Sequence, residues 1–236
     1  MIYLGLPQWS HPKWVRLGIN GLEEYARHFN CVEGNTTLYA LPKAEVVARW
    51  REQTRDDFRF CFKFPATISH QAALRNCDDL TEEFFSRLSP LANRIGQYWV
   101  QLPATFGPRD LPALWQFLDG LPREFTYGVE VRHPEFFMKG EAEQALNRGL
   151  HERGVNRTIL DSRPVHAAVP HNEAIIDAQR KKTESAGACG DDRQQPDGAF
   201  YRQRQYATKP GAVCRLAADP GEVGTDRHAV SFFTYA

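Results

Sequence analysis

Six times along the chain a short apolar run of strand character ends in polar residues that do not belong in a core. The six ends are Gln8-Trp9-Ser10, Glu33-Gly34-Asn35, Lys63 (with His70 soon after), Gln101, Glu130-Val131-Arg132-His133 and Asp161-Ser162-Arg163. A helix-like stretch follows each. The spacing predicts strands over residues 2–6, 30–33, 58–64, 97–102, 125–131 and 158–160. In the third, Phe58, Phe60, Phe62 and Phe64 alternate with Arg59, Cys61 and Lys63, the period-two pattern of a strand with one bulky aromatic face. Helix faces are predicted from Leu22, Tyr25, Ala26 and Phe29; from Val46, Val47 and Trp50 after Pro42; and from Phe84, Phe85, Leu88 and Leu91, interrupted at Pro90. Leu111, Leu114, Trp115 and Leu118 form another between Pro108 and Gly120. Ala142, Ala145, Leu146 and Leu150 form the next, ended by Gly154, and Ile175, Ile176 and Ala178 suggest a sixth.

Strands alternating with helices predict a parallel α/β sheet. A parallel barrel gathers the carboxyl ends of its strands on one face, and that face carries the site. A closed barrel needs eight strand–helix units, and six are legible. The expected fold is therefore α/β, a TIM-like (β/α) barrel that is incomplete, its last two units missing or replaced by a non-native tail.

The alternation stops after Lys182. In residues 183–236, Leu, Ile, Val and Phe make up 7 of 54 residues, with one Leu and no Ile, below the level of a packed domain. The expected division is a truncated barrel over residues 1–182 and a tail over 183–236. The tail reads either as disordered or as out-of-frame translation after a frameshift. Open edges at strands one and six would make the product marginal or aggregation-prone.

Charge and cysteines narrow the function classes. Lys plus Arg and Asp plus Glu balance at 29 each, for a net charge of zero. That disfavours nucleic acid and an anionic membrane surface as partners. The five cysteines form no Cys-x-x-Cys pair, so a zinc knuckle or disulfide framework is not expected and a reducing compartment fits better. The start, Met1-Ile2-Tyr3-Leu4-Gly5, lacks a basic segment followed by a long apolar stretch. No apolar run approaches a membrane span. A cytoplasmic location is expected.

The strand ends supply the chemistry. Glu33 suits a general base, with Asn35 orienting a ligand; the alternative is a loop carboxylate that caps a turn. Lys63 could hold an anion or act as a nucleophile, or could simply pair with Glu33 or Glu130. His70 is a candidate proton carrier and Gln101 a hydrogen-bonding ligand contact. Glu130 and Arg132 share one strand face. Arg132 offers a planar fork to a carboxylate or phosphate, unless it merely neutralises Glu130. Asp161 and Arg163 repeat that arrangement one strand later. Glu33, Glu130, Asp161 and His70 or His133 are residue types used by divalent-metal barrels, but there is no paired-His spacing, and a metal is not expected. No phosphate-loop glycine pattern or nucleophile elbow is present, and the sequence names no cofactor.

Val32-Glu33-Gly34-Asn35-Thr36-Thr37-Leu38-Tyr39, Phe62-Lys63-Phe64-Pro65 with Thr67-Ile68-Ser69-His70, Gln101-Leu102-Pro103-Ala104-Thr105-Phe106 and Glu130-Val131-Arg132-His133 together resemble the YecE-like family. This is a bacterial and archaeal family of unknown function (the DUF72 domain). The resemblance covers residues 1 to about 182 and implies a TIM-barrel fold. Asp161 sits where the family places an aspartate. The first loop departs from the family's Gly-x-Ser-Gly-Trp, reading Gly5-Leu6-Pro7-Gln8-Trp9.

The functional expectation is a ligand site at the carboxyl face of the barrel. Glu33, Lys63, His70, Glu130 and Asp161 are its candidate catalytic residues. Asn35, Gln101, Arg132, His133 and Arg163 are its candidate ligand contacts. Acid–base chemistry on a small anionic or polar substrate fits these groups. The alternatives are a non-enzymatic barrel binding a metabolite or nucleic acid, and a non-functional frameshifted product. The fold alone cannot choose among reactions.

Overall fold

The computed structural model describes residues 2–158 without a break, residues 169, 170, 173 and 176, and three short strands further on. The elements of the first part are β1 (Ile2–Leu6), α1 (Leu22–His28), β2 (Cys31–Gly34), α2 (Thr36–Tyr39), α3 (Ala44–Glu52), β3 (Arg59–Lys63), α4 (Asp78–Leu88), β4 (Ile95–Gln101), α5 (Leu111–Asp119), β5 (Tyr127–Glu130), α6 (Glu141–Glu152) and β6 (Asn156–Thr158). Beyond them come β7 (Arg202–Gln203), β8 (Leu216–Ala217) and β9 (Ala229–Phe232). The first six strands lie in sequence order, every neighbouring pair parallel. They make an incomplete α/β barrel with helices between the strands, as the alternation predicts.

The sheet has one further member. β9 pairs in parallel with β1, Ile2 opposite Ala229 and Gly5 opposite Phe232. The expectation of an open edge at strand one is corrected on this point. The physical reason is simple: an edge strand presents unpaired N–H and C=O groups that an extended β-prone segment can satisfy, and Ala229-Val230-Ser231-Phe232 is such a segment. At the other end, β6 has a sheet neighbour on one side only among the described residues.

The two faces of the sheet differ in chemistry. On the outer face Phe60 and Phe62 stack at 5.2 Å, Trp50 of α3 lies on Phe62 at 5.6 Å, and Phe84 of α4 meets Phe64 at 4.9 Å. This layer continues through Tyr98, Val100 and Val129 to Leu114, Leu146 and Leu150 of α5 and α6. Burial of such side chains is the main driving force for folding. Helix ends follow the sequence signals: α5 stops at Gly120, and Gly154, at φ +64°, ends α6 in the left-handed conformation that glycine adopts without strain.

One helix face differs from its prediction. Ala145 of α6 is exposed, and its place in the buried stripe is taken by Glu143. The carboxylate is matched there by Arg157 of β6 at 2.9 Å. A charged residue carries no hydrophobic signal, so the pairing was invisible to periodicity.

The inner face is the unusual one. Tyr3, Cys31, Cys61 and Trp99 form its apolar patch. By strand alternation Glu33, Lys63, Gln97, Gln101, Gly128, Glu130, Asn156 and Thr158 share that face. Barrel interiors of this class are normally filled by branched aliphatic side chains. Here polar groups occupy the layers that lead to the carboxyl ends.

Candidate functional site

The site builds from strand register. Glu33 stands opposite Cys61, so Lys63, two residues on, is its diagonal neighbour on the same face. Lys63 Nζ reaches Glu33 Oε1 at 2.8 Å, with the two side chains 8% and 9% exposed. Trp99 is the register partner of Lys63 on the next strand. Its ring backs the ammonium at 4.5 Å from the centroid, a cation–π contact that strengthens as water is removed. The Thr37 hydroxyl, at the start of α2, lies between two carbonyl acceptors and shares its one proton with Lys63 O at 2.7 Å and Gly34 O at 3.0 Å. It thereby fixes the ends of β2 and β3 together.

A second group forms one strand further. Gln101 and Glu130 are register partners. Gln101 Nε2 donates to Glu130 Oε2 at 3.0 Å, and Arg132 Nε donates to Glu130 Oε1 at 2.9 Å. Both oxygens of this buried carboxylate are engaged, while the Arg132 side chain is 46% exposed. His70 joins this group electrostatically. Burial and the positive charge of Arg132 push its pKa below the usual 6.5, and Glu130 opposes them. His70 is therefore neutral at pH 7, a state able to accept a proton.

Other predicted residues have different positions. Asn35 donates from Nδ2 to the Pro7 carbonyl at 2.9 Å, tying the loop after β2 to the loop after β1. His133 Nδ1 accepts from the Glu135 amide at 3.3 Å and caps the short helical turn Pro134–Phe137. Asp161 and Arg163, like most of the predicted sixth helix, lie outside the described residues. Among the described residues no three His, Cys, Asp or Glu side chains are placed to share a metal ion.

Sequence reasoning missed Trp99, Gln97 and Asn156 as members of the inner face. Alternation from Gln101 back through Trp99 to Gln97 would have found the first two. Asn156 Nδ2 donates to Gln97 Oε1 at 2.8 Å, a contact that spans the strand between them and leaves no trace in local sequence. A cleft of about 430 Å³ opens away from these groups, beside α4 and α5, lined by Arg75, Arg109, Gln116 and Phe117 among others. None of the strand-end residues borders it.

The incomplete parallel barrel and its polar strand ends define the class, and comparison with known proteins agrees. The family described as "Protein of unknown function DUF72" matches residues 3–230, and the chain belongs to that family. The family read from the motifs is thereby shown, and the match runs past residue 182, where the likeness was expected to end. Over 182 residues the chain is 85% identical to UPF0759 protein YecE of Escherichia coli strain K12, a stretch covering 77% of this chain and 67% of that protein. The counterpart from Escherichia coli O157:H7 is 84% identical over the same length. Among solved structures, a DUF72 family protein of Enterococcus faecalis V583 superposes with a TM-score of 0.57 at 26% identity, covering 68% of this chain and 61% of that one. A DUF72 family protein of Thermotoga maritima MSB8 gives 0.56 at 22% identity, covering 66% of this chain and 64% of that one, and shows the fold alone. The chain thus spans under two thirds of the length of these solved relatives. No described helix is long and apolar enough to cross a membrane.

Proposed function

We propose that the carboxyl ends of β2 to β5 bind a small anionic or polar ligand and move a proton on it. One observation carries the reading: two acid–base groupings, Glu33–Lys63 and Gln101–Glu130–Arg132, stand on adjoining strand ends with their carboxylates buried. A buried ion pair such as Glu33–Lys63 is a weak source of stability, so its place beside a second buried carboxylate on one barrel face points to use. Lys63 and Arg132 hold negative or polar oxygen atoms of the ligand. Because each is already matched by a carboxylate, a ligand with one charge or none fits better than a polyanion. Neutral His70 accepts the proton, with Glu130 stabilising the imidazolium that results. In this reading Glu33 is the alternative base. The compartment is cytoplasmic.

The test is a thermal-shift screen of the full chain against monocarboxylates, sugar phosphates and neutral polyols. A hit should be lost in Lys63→Met and Arg132→Ala while circular dichroism stays native. An equal shift in both variants would remove the site from these residues. Chemical change in the hit compound separates an enzyme from a barrel that only binds. A hit confined to oligonucleotides, with steep salt dependence, would favour the nucleic-acid alternative instead.

We further propose that residues from about 183 onward are an out-of-frame translation. The loss of Leu and Ile at one point supports this; the family match, which runs on to residue 230, speaks against it. On this reading β9 fills the edge of β1 as an opportunistic partner. Resequencing the gene and reading all three frames decides it. The idea fails if no other frame encodes an apolar, strand-rich continuation.

A further inference from the structure

We propose that Ser69 is a positioning residue that holds His70 in the tautomer with the proton on Nδ1, so that Nε2 is the basic nitrogen. The inference rests on the reading of His70 as the proton acceptor, and it names what prepares that residue. His70 lies in a π-helical turn, Thr67–Gln71, in the loop after β3. Single π turns inside proteins recur where a side chain must be aimed. Here the turn puts two side chains in contact, Ser69 Oγ and His70 Nδ1, at 2.9 Å. Ser69 is fully buried, so water does not compete for its hydroxyl.

Proton counting fixes the direction. A serine hydroxyl has one proton to give. Ser69 Oγ donates it to the Pro65 carbonyl at 3.1 Å, the back-bond a serine makes to the carbonyl four residues earlier. With that proton committed, the contact to His70 is a hydrogen bond only if His70 Nδ1–H is the donor. The opposite assignment leaves the lone pairs of buried Ser69 Oγ facing the Pro65 oxygen, which also accepts from the Ile68 and Ser69 amides, with no proton between the two oxygens, an unfavourable contact. In water a neutral imidazole favours its proton on Nε2. The chain Pro65–Ser69–His70 reverses that preference and leaves the Nε2 lone pair on the opposite edge of the ring. The tautomer at a histidine is set by the partner of its other nitrogen.

The segment that follows is built to hold this geometry. Ala73, Leu74 and Asn76 all have positive φ, at 47°, 65° and 49°. Non-glycine residues adopt such values only where the surroundings impose them. Leu74 is buried, its amide bonded to the Ile68 carbonyl at 3.0 Å, and Arg75 is tied to Asp110 at 2.7 Å. The turn that carries Ser69 and His70 is thus clamped from its far end.

Nitrogen-15 NMR of the imidazole rings in the full chain tests this directly, with His70 assigned by its loss in His70→Gln. Above its titration, His70 should show a protonated-type Nδ1 and an unprotonated-type Nε2. Ser69→Thr, which keeps the hydroxyl, should preserve that pattern, and Ser69→Ala should shift it towards the Nε2–H form. A wild-type ring with its proton on Nε2 overturns the proposal, as does an unchanged pattern in a folded Ser69→Ala. If Ser69→Ala does not fold, the wild-type spectrum alone decides. The spectrum needs no ligand, so a failed ligand screen and a failed tautomer assignment are separate results.

Discussion

Lys63 Nζ lies 2.8 Å from Glu33 Oε1, with both side chains more than nine-tenths buried. Each charge therefore depends on the other. Removing one partner of a buried pair strands the remaining charge, which costs on the order of 3 kcal/mol. Lys63→Met and Glu33→Gln should each lower stability by about that amount, and the double variant should lose less than the sum. Urea unfolding of the four proteins closes this cycle. Additive losses would mean that the two side chains do not support one another in solution.

His70 gives the site a pH dependence of defined sign. Its folded-state pKa lies below the unfolded value near 6.5, mainly because of burial and then because of Arg132. The unfolded chain therefore binds the proton more readily. Stability from this group is complete above pH 6.5 and is lost as pH falls through the lower, folded-state pKa. Arg132→Ala should raise the His70 pKa, and Glu130→Gln should lower it further. A proton NMR titration of the ring reads both shifts, and movement in the same direction in the two variants would contradict the geometry.

Much of this was legible in the chain. The Phe58 to Phe64 alternation declared both faces of β3, and with them the inward position of Lys63. The order of β1 to β6 followed from the spacing of apolar runs. What failed to show depends on contacts between distant elements. The Nδ1 atom of His133 caps the turn that follows its strand-like run. Asn35 Nδ2 binds the carbonyl of Pro7 in the neighbouring loop. Local sequence places a polar residue at a strand end, but only packing determines whether its partner is a ligand or a neighbouring backbone. Residues 36–39 and 67–71 have no clear periodicity, so α2 and the π turn were not foreseen.

Two inner-face glycines separate backbone from side-chain crowding. A Cβ on Gly5 would lie 2.2 Å from the Cys31 carbonyl oxygen, and a Cβ on Gly128 would lie 2.3 Å from Gln97 Nε2. The first obstacle is a paired strand that cannot move. The second is the end of a side chain, although Asn156 holds it at 2.8 Å. Gly5→Ala should cost about 3 kcal/mol, at the upper end of overpacking penalties, and Gly128→Ala about 1 kcal/mol. Shortening Gln97 to Ala should recover part of the Gly128→Ala loss and none of the Gly5→Ala loss. Chemical denaturation of these variants measures the ranking, and equal costs would refute the distinction.

Tyr25 joins α1 to the first two strands through one oxygen. Its hydroxyl accepts from the Leu6 amide at 2.6 Å and donates to the Cys31 carbonyl at 2.9 Å. The residue is fully buried and its ring stacks on Phe29 at 4.7 Å. Burial also pushes the phenol pKa far above its usual value of 10.0, so the hydroxyl keeps its proton across the accessible pH range. Tyr25→Phe preserves the ring but removes the hydroxyl that accepts from the buried Leu6 amide and donates to the Cys31 carbonyl. Unsatisfied buried groups cost about 1–3 kcal/mol apiece, so the substitution should lower stability by about 2 kcal/mol or more. Hydrogen exchange gives the sharper reading: protection should fall first at the Leu6 amide while the amides of β4 and β5 keep theirs. Uniform loss across the sheet would mean that Tyr25 supports the whole barrel rather than the β1–β2 junction.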